Sequence, residues 1–431
     1  MAKDTKELPD DSPSGPSVAK PKLRRIERVE RILEGERVLI LRDPMGVAES
    51  FALDAEFAPV LDLLDGTRSV QQVRQSLSMR GVLQLPADEL GTFVDSLRDE
   101  GWLDDDRFRD RWADLHAGFL QEDPRRPRFA GILYPEDPAE LGEAFARVLG
   151  PTRRTADDSQ LVGVMVPHGP LDLVGDVLAR TLVDLPPAEA LECVVILGTD
   201  HGPGLLPFAA ARRGFATPLG PVPADLEFLD ALDERIAWAF REEFRHRAAH
   251  SIELSALALR AVYGDAVPPI VPVLCGAGVL RSRDTEAAER FIDALEQLLV
   301  GRRALIWGSA ELSHGGVAYG RPPLDDAGAQ ALEDRDRDCL EDLVHARHSA
   351  LARKCAQDHP QGRPSGGAVL STLRQLLPEA SVEVSTYRAA SLGDPETTSK
   401  PDGLDRGQSF AGLAGVRLFA RPPGLTNPNR R

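Results

Sequence analysis

The sequence is short of cysteine, of positive charge and of long apolar runs. Its four cysteines are too few and too scattered for a disulfide framework, and none lies in a CxxC pair. Because 68 acidic residues outnumber 51 basic ones, the net charge of −17 opposes binding to nucleic-acid phosphates and to anionic lipid surfaces. We therefore expect no nucleic-acid partner and no membrane partner.

The polar opening, MAKDTKELPDDSPSGPSVAKPKLRR, contains no apolar stretch that would serve as a signal peptide or enter a bilayer. This pattern predicts a cytoplasmic protein with a disordered arm over residues 1–27, and a disordered tail is predicted over residues 422–431. The chain also lacks a GxxxxGKS phosphate loop, a GxSxG elbow and a GxGxxG turn between a strand and a helix. Nucleotide-binding and serine-hydrolase classes are therefore not indicated.

Residues 28–106 have the pattern of a small separate domain. The run RVLILRDP predicts a strand, and apolar residues at helical spacing predict three helices after it. Thr67 or Ser69 can cap the second helix, and the third ends at Gly101. A linker with a basic, proline-containing end is predicted over residues 107–126.

The stretches LLDGTRSVQQV and FVDSLRDEGWL within this first domain resemble the PqqD-like family. Members of that family are small winged-helix domains that bind a leader peptide in peptide-modifying systems. The resemblance implies a peptide or protein partner for residues 28–106, and the alternative is an unspecialised helical docking domain. The acidic bias of the chain argues against the DNA-binding use of a winged helix.

Residues 127–421 alternate apolar runs with helical segments. With 42% hydrophobic residues, the chain can bury a sizeable core. The alternation predicts an α/β domain with a mainly parallel central sheet and helices on both faces. The predicted strands are residues 161–166, 193–197, 270–274, 304–307 and 382–387.

Three histidines follow predicted strands. His168 ends the run VGVMVPHG, His201 lies in CVVILGTDHGPG, and His314 comes soon after the strand in ALIWGSAELSHGG. In an open α/β sheet, ligands gather beyond the carboxyl ends of the strands, so these side chains are expected to converge. A single such histidine is more often structural, but the joint pattern favours a shared pocket.

A fourth candidate element is the helical segment AHSIELSALAL. His250 and Glu253 stand three residues apart in it and therefore share one helix face. A histidine with a carboxylate suits metal binding or acid–base work, because neutral imidazole binds borderline metals and a carboxylate can fix its tautomer. The alternative for this pair is a solvated helix face.

A series of motifs in consistent order resembles the Memo family, also called protein B of the AmmeMemoRadiSam system. The match runs over roughly 290 residues, which is a specific signal for a set of ordered motifs. The matching motifs are RPRFAGILYPEDPAEL, VPHGP, ILGTDHGPG, FATPLGPVPAD, HSIEL, IVPVLCG, GSAELSH and SFAGLAGVRLF. The family's fold is similar to that of class III extradiol dioxygenases, which are non-haem iron enzymes.

The Memo resemblance implies a mononuclear iron or copper site. In the family, a histidine from each of the first two motifs and a cysteine from a later CGR motif hold the metal, with His/Glu and Asp/His pairs nearby. The histidine ligands correspond to His168 and His201. The residues that would line the pocket and act in catalysis are His250, Glu253, Glu311 and His314.

This sequence departs from the family pattern at several positions. Gln361 stands where the family has its cysteine ligand, and a neutral amide oxygen binds a soft or borderline metal far more weakly than a thiolate does. Cys355 and His359 lie a few residues upstream, although Cys355 fits the continuation of a helix. Other changes are Gly169 and Pro170 after the first histidine, Glu311 in place of an aspartate, and Ser255 in place of a second helical histidine.

Two functional accounts remain open from the sequence. In one, His168, His201 and Gln361 hold Fe(II) or copper for redox or oxygenase-type chemistry, alongside a radical-SAM partner protein. In the other, the metal has been lost and the chain is a binding scaffold whose first domain docks a peptide or protein. The choice between an enzyme and a scaffold depends on whether the pocket still holds a metal.

Overall fold

The computed structural model describes residues 20–33, 36–43, 45–81, 86–150, 160–202, 204–281, 285–316, 319, 321–357, 363–392 and 409–420. The chain divides into two compact units with the boundary between Asp114 and Leu115. The expected tail at 422–431 lies outside the described residues. The described part of the expected arm is not free of contacts, because the main-chain amides of Leu23 and Arg24 donate to the carbonyls of Leu64 and Trp102.

The first unit combines a small antiparallel sheet with helices. Its sheet has the strand order β1-β2-β3. The elements are β1 (Glu27–Leu33), β2 (Glu36–Arg42), β3 (Phe51–Asp54), α1 (Ala58–Leu63), α2 (Val70–Arg80) and α3 (Ala87–Asp99). Strand β1, which pairs with β2, was not anticipated from the sequence. The winged-helix assignment of this unit stays a prediction.

Local signals explain the bounds of α2. Ser69, rather than Thr67, caps its start: the Ser69 hydroxyl accepts from the Gln72 amide, and the Gln72 side chain accepts from the Ser69 amide. The helix ends at Gly81, whose positive φ of 64° suits a residue without a Cβ. The helices bury a core around Trp102, which is 0% exposed.

The predicted linker over residues 107–126 is mostly helical. Helix α4 (Asp106–Gln121) occupies it, and the Asp105 side chain accepts from the Phe108 amide at its start. Phe119 is buried within the second unit. The basic, proline-containing end of this segment predicts a linker, but apolar residues recur at helical spacing before that end and stabilise a helix.

The second unit contains a mixed sheet, which corrects the expectation of a mainly parallel one. In the described residues its order is β10-β9-β12-β4-β8-β5-β7-β6, with β11 paired to β12. Among the described strands, β4, β8, β5 and β7 run parallel to one another, and the other pairs in the sheet are antiparallel. The strands are β4 (Leu161–Val166), β5 (Cys193–Thr199), β6 (Phe208–Ala210), β7 (Ile270–Cys275), β8 (Ala304–Ser309), β9 (Ser313–Gly316), β10 (Arg363–Pro364), β11 (Ser381–Leu392) and β12 (Ser409–Phe419).

Helices cover both faces of this sheet. Alternate residues of the fully buried β5 point into two different cores: Val195 packs with α7, α9 and α12, whereas Ile196 packs with α6 and α8. The helices are α5 (Pro138–Leu149), α6 (Leu171–Thr181), α7 (Leu226–Ile236), α8 (His250–Tyr263), α9 (Thr285–Leu299), α10 (Asp326–Val344), α11 (His348–Ala356) and α12 (Gly367–Leu376). Within the described ranges, no helix has both the length and the apolarity to cross a bilayer.

The parallel strands bring the predicted site residues to one edge of the sheet. β4, β8 and β5 are adjacent and parallel, so the segments that follow them emerge on the same side. The N-terminus of α8 reaches this edge because Gly198 on β5 has no Cβ. A Cβ there would lie 2.5 Å from Ile252 Cδ1 and 2.8 Å from Ser251 Oγ.

Candidate metal centre

Three histidines from three different segments meet beyond the strand ends. One nitrogen from each of His168, His201 and His250 lies within 4.8 Å of the others. The Nε2 atoms of His168 and His201 are 2.9 Å apart. The rings of His201 and His250 stack with centroids 4.6 Å apart, and that of His168 meets both edge-on. The structure therefore brings the two strand-end histidines together with the first residue of α8.

The donor set and its spacing fit a transition metal ion. Imidazole nitrogens bind zinc, copper, iron and nickel, at bond lengths of about 2.1 Å for zinc. Two such bonds at a right angle separate their nitrogens by about 3.0 Å, close to the spacing of His168 and His201. His250 can complete a three-nitrogen site with a small side-chain adjustment, because its ligand atom lies within 4.8 Å of the other two.

The three imidazoles are held in the neutral form that metals bind. Burial lowers the pKa of His168 to about 3, with the nearby Glu311 charge acting in the opposite direction. His201 keeps part of its surface in solvent, yet enclosure of its ring, followed by the charges of His250 and His168, lowers its pKa well below the usual value. Burial also lowers the pKa of His250. At neutral pH each imidazole is therefore uncharged and has one nitrogen with a lone pair that a metal can use.

A carboxylate–histidine pair lies beside the triad. His314 Nε2 and Glu311 Oε2 are 2.6 Å apart, and Tyr319 packs against the His314 ring at 4.5 Å. Burial alone would raise the pKa of Glu311, but the hydrogen bond and charge of His314 lower it to about 2. The pair can share a proton, and the Glu311 charge acts on all three triad histidines.

Glu253 lies on the same helix as His250 but faces a different neighbour. Its carboxylate accepts from the amides of Arg128 and Phe129 at 2.9–3.0 Å and from the Tyr134 hydroxyl at 2.7 Å. These partners belong to the segment before α5, which we call the strap (residues 125–134). Among the described contacts, the Glu253 carboxylate binds the strap and not a triad histidine. Its hydrogen bond to the Phe129 amide holds the Phe129 ring with its centroid 5.4 Å from the centroid of the His250 ring.

The remaining predicted ligand, Gln361, lies outside the described residues, as does His359. Cys355, the other alternative, is buried on α11 as the sequence suggested. It is a free cysteine that packs beneath Gly367, where a Cβ would lie 3.1 Å from its sulfur. Within the described part of the chain, the third side chain that could bind a metal together with His168 and His201 is His250.

Several residues at the site were not anticipated from the sequence. Arg245 and Asp200 form an ion pair beside His201, and the Glu242 carboxylate accepts from the amides of Leu205 and Leu206 in the same loop. Other contributors are Tyr134 and Phe129 of the strap and the hydroxyl residues Thr199, Ser251 and Ser309. A serine or threonine at a strand end and an ExxR spacing such as that of Glu242 and Arg245 are too common to have identified these residues.

The chain is similar to known proteins over most of its length. The Memo-like protein family matches residues 125–390, which is more than half of the chain. A MEMO1 family protein of Aquifex aeolicus is 24% identical over 328 residues, or 76% of this chain and 84% of that protein. A MEMO1 family protein of Thermus thermophilus is 27% identical over 326 residues, which are 74% of this chain and 94% of that protein. A MEMO1 family protein of Methanopyrus kandleri is 33% identical over 198 residues, which are 44% of this chain and 69% of that protein. The chain therefore belongs to the Memo-like protein family.

Proposed function

We propose that this protein is a metal-dependent oxidoreductase whose mononuclear, non-haem centre is held by His168, His201 and His250. The observation that carries the proposal is the close approach of three imidazole nitrogens from β4, β5 and α8. Imidazoles that only stabilised the fold would not need to direct their nitrogens toward one another. The metals that suit this donor set and the family resemblance are iron and copper.

A bound iron or copper ion would supply a Lewis acid and a one-electron redox partner at this position. The protein's own residues supply the other requirements. The neutral triad contributes no charge to offset that of an ion, and the Glu311 carboxylate supplies a negative charge that acts on all three histidines. The oxygenase-type assignment depends on the family's similarity to extradiol dioxygenases, whereas metal binding depends on the geometry.

The Glu311–His314 pair supports acid–base work beside the metal position. A proton held between Glu311 Oε2 and His314 Nε2 can be donated to, or taken from, a ligand that enters the pocket. Tyr319 limits the orientation of the His314 ring by packing on it. His314 is therefore the proposed proton-transfer residue, and Glu311 orients it.

The strap contributes to the site by covering it. Phe129 places an aromatic ring against His250, and the buried Glu253 fixes the strap through main-chain amides. An apolar cover over one face of a metal position reduces access of water. The proposed role of Glu253 is thus to position the cover, whereas the family resemblance implied a residue that lines the pocket and acts in catalysis.

Metal analysis tests the proposed function. The full chain is purified without a metal-binding tag, incubated anaerobically with Fe(II) or with Cu, and analysed by plasma mass spectrometry. We expect near-stoichiometric metal in the wild type and in His345→Ala, because His345 is an exposed histidine outside the triad. His168→Ala and His250→Ala are expected to lose the metal. A wild type that binds neither metal would overturn the proposal and leave the scaffold account.

The partners stay predictions of the resemblance. A peptide or protein is proposed for the first unit, and a radical-SAM protein for the system as a whole. Binding of candidate peptides to the full chain, measured by calorimetry, would test the first of these.

A further inference from the structure

Three hydroxyl side chains link β5, α8 and β8 in a closed ring of hydrogen bonds. Thr199 Oγ1 donates to the Ser309 carbonyl at 2.9 Å, and Ser309 Oγ donates to the Ser251 carbonyl at 2.8 Å. Ser251 Oγ in turn donates to the Thr199 carbonyl at 2.7 Å. All three residues are buried, with at most 3% of their surface exposed. Because this burial shields the three hydroxyls from bulk solvent, each of them is directed to its carbonyl.

In the described contacts, the Ser309 hydroxyl has one further partner, which belongs to the triad. Its Oγ lies 3.1 Å from Nδ1 of His168. A serine hydroxyl carries one hydrogen, and a carbonyl oxygen can only accept. Because the Ser309 hydrogen is donated to Ser251, Ser309 Oγ must accept at its contact with His168. The hydrogen between these two residues therefore belongs to Nδ1 of His168.

The tautomer of His168 follows from this assignment. A neutral imidazole carries one ring N–H, so a hydrogen on Nδ1 leaves a lone pair on Nε2. Nε2 is the atom that lies 2.9 Å from the corresponding atom of His201, inside the triad. The opposite tautomer would direct an N–H bond into the metal position and would leave Nδ1 and Ser309 Oγ as two facing acceptors.

We propose that Ser309 is a positioning residue that sets the tautomer of His168, so that Nε2 is the atom offered to the metal. This inference rests on the proposed metal centre and adds the atom used and the group that selects it. The hydroxyl ring fixes Ser309, since its hydrogen cannot turn toward His168 without giving up the bond to Ser251.

The chain offers a closely matched control. Ser255 is also buried, and its hydroxyl donates to the same Ser251 carbonyl at 2.7 Å. In the described contacts its hydroxyl does not reach His168. Ser309→Ala and Ser255→Ala therefore each remove one buried serine hydroxyl bound to Ser251, and only the first removes the acceptor at His168 Nδ1.

The tautomer is measured in the metal-free full chain at neutral pH. Long-range ¹H–¹⁵N correlation spectra of protein labelled with ¹⁵N-histidine are recorded, with His168 assigned from His168→Ala. We expect wild type and Ser255→Ala to show protonated Nδ1 and unprotonated Nε2, and Ser309→Ala to show a mixture or the opposite tautomer. An Nε2-protonated wild type would overturn the proposal. So would an unchanged tautomer in Ser309→Ala, which would mean that another acceptor, such as the Ser309 carbonyl, holds the proton.

Metal affinity provides the second readout. Loss of a group that orients a metal ligand costs about 10-fold to 100-fold in affinity, which is the loss expected for Ser309→Ala. Ser309→Thr keeps the hydroxyl and should recover most of the affinity, whereas Ser255→Ala should match the wild type. An unchanged affinity in Ser309→Ala would also overturn the proposal. If the wild type bound no metal, the proposed function would fail, while the metal-free spectra would still decide the tautomer.

Discussion

The hydroxyl of Tyr134 donates a 2.7 Å hydrogen bond to the Glu253 carboxylate, joining the strap to α8 over a separation of 119 residues. Burial, together with the charge and hydrogen bond of Glu253, raises the pKa of Tyr134, so the phenol stays protonated and continues to donate. The same carboxylate accepts two main-chain amides. A single glutamate thereby connects the start of the family-matched region to the helix that carries His250.

Glu253→Gln is expected to lower the free energy of unfolding of the second unit by about 3 kcal/mol, because hydrogen bonds to a buried charged acceptor are lost. Tyr134→Phe removes one of these bonds and should cost about 1.5 kcal/mol. Urea unfolding measures both changes. The exposed Glu189 provides the control, since Glu189→Gln should leave stability unchanged. Equal stability of Glu253→Gln and Glu189→Gln would contradict the strap assignment.

Arg245→Met is expected to destabilise the loop that carries His201. Asp200 is 4% exposed and Arg245 11%, and removing one partner of a buried ion pair costs about 3 kcal/mol or more. The double variant Asp200→Asn/Arg245→Met should recover part of this loss, because the most buried carboxylate is neutralised while Glu242, the second partner of Arg245, still loses its ion pair. Thermal unfolding and metal affinity give the readouts. Arg241→Met, at an exposed position in the same segment, should behave as wild type.

Asp336 on α10 should make stability depend on pH. Burial raises its pKa to about 6, although hydrogen bonds from Ser313 and Tyr387 act in the opposite direction. The folded state then binds the proton more tightly than the unfolded state, whose pKa is about 3.9. The contribution of Asp336 to the free energy of unfolding is therefore fully present below about pH 4 and is lost as the pH rises through 6. This contribution is roughly 3 kcal/mol at most.

Asp336→Asn tests this pH dependence. The variant should show a flatter profile of unfolding temperature between pH 4 and pH 7 than the wild type. Asp338→Asn, at an exposed position two residues along the same helix, should keep the wild-type slope. Parallel profiles for the wild type and Asp336→Asn would show that Asp336 does not titrate in this window.

Variants of His250 and Gln361 distinguish two candidates for the third metal ligand. We expect His250→Ala to lower metal affinity by more than about 100-fold, because loss of a ligand exceeds the effect of losing a group that orients one. Gln361→Ala should change affinity little, since a neutral amide oxygen is a weak ligand for these metals. Titration with a competing chelator measures both. A larger loss of metal affinity in Gln361→Ala than in His250→Ala would support the ligand set predicted from the sequence.

Much of the local structure was determined by the sequence. Ser69 with Gln72 specifies the start of α2, because the side chain and the amides that cap the helix lie within four residues of each other. The apolar runs before His168 and His201 were correctly predicted as buried strands, and the order of motifs indicated the family that the comparison confirmed. The helix cap and the strands depend on residues close together in the chain, and the family depends on the order of motifs along it. Both can therefore be read from the sequence.

Only the tertiary structure decided which partner each side chain meets. His250 and Glu253 share a helix face in the sequence, yet one joins the triad and the carboxylate of the other binds main-chain amides of the strap. Ser309 acquires its role from Ser251 and His168, which lie 58 and 141 residues away. The antiparallel pairing of β9, β11 and β12 likewise depends on where these strands pack in the sheet. Hydrogen-bond partners so distant along the chain are set by packing, and residue spacing does not encode them.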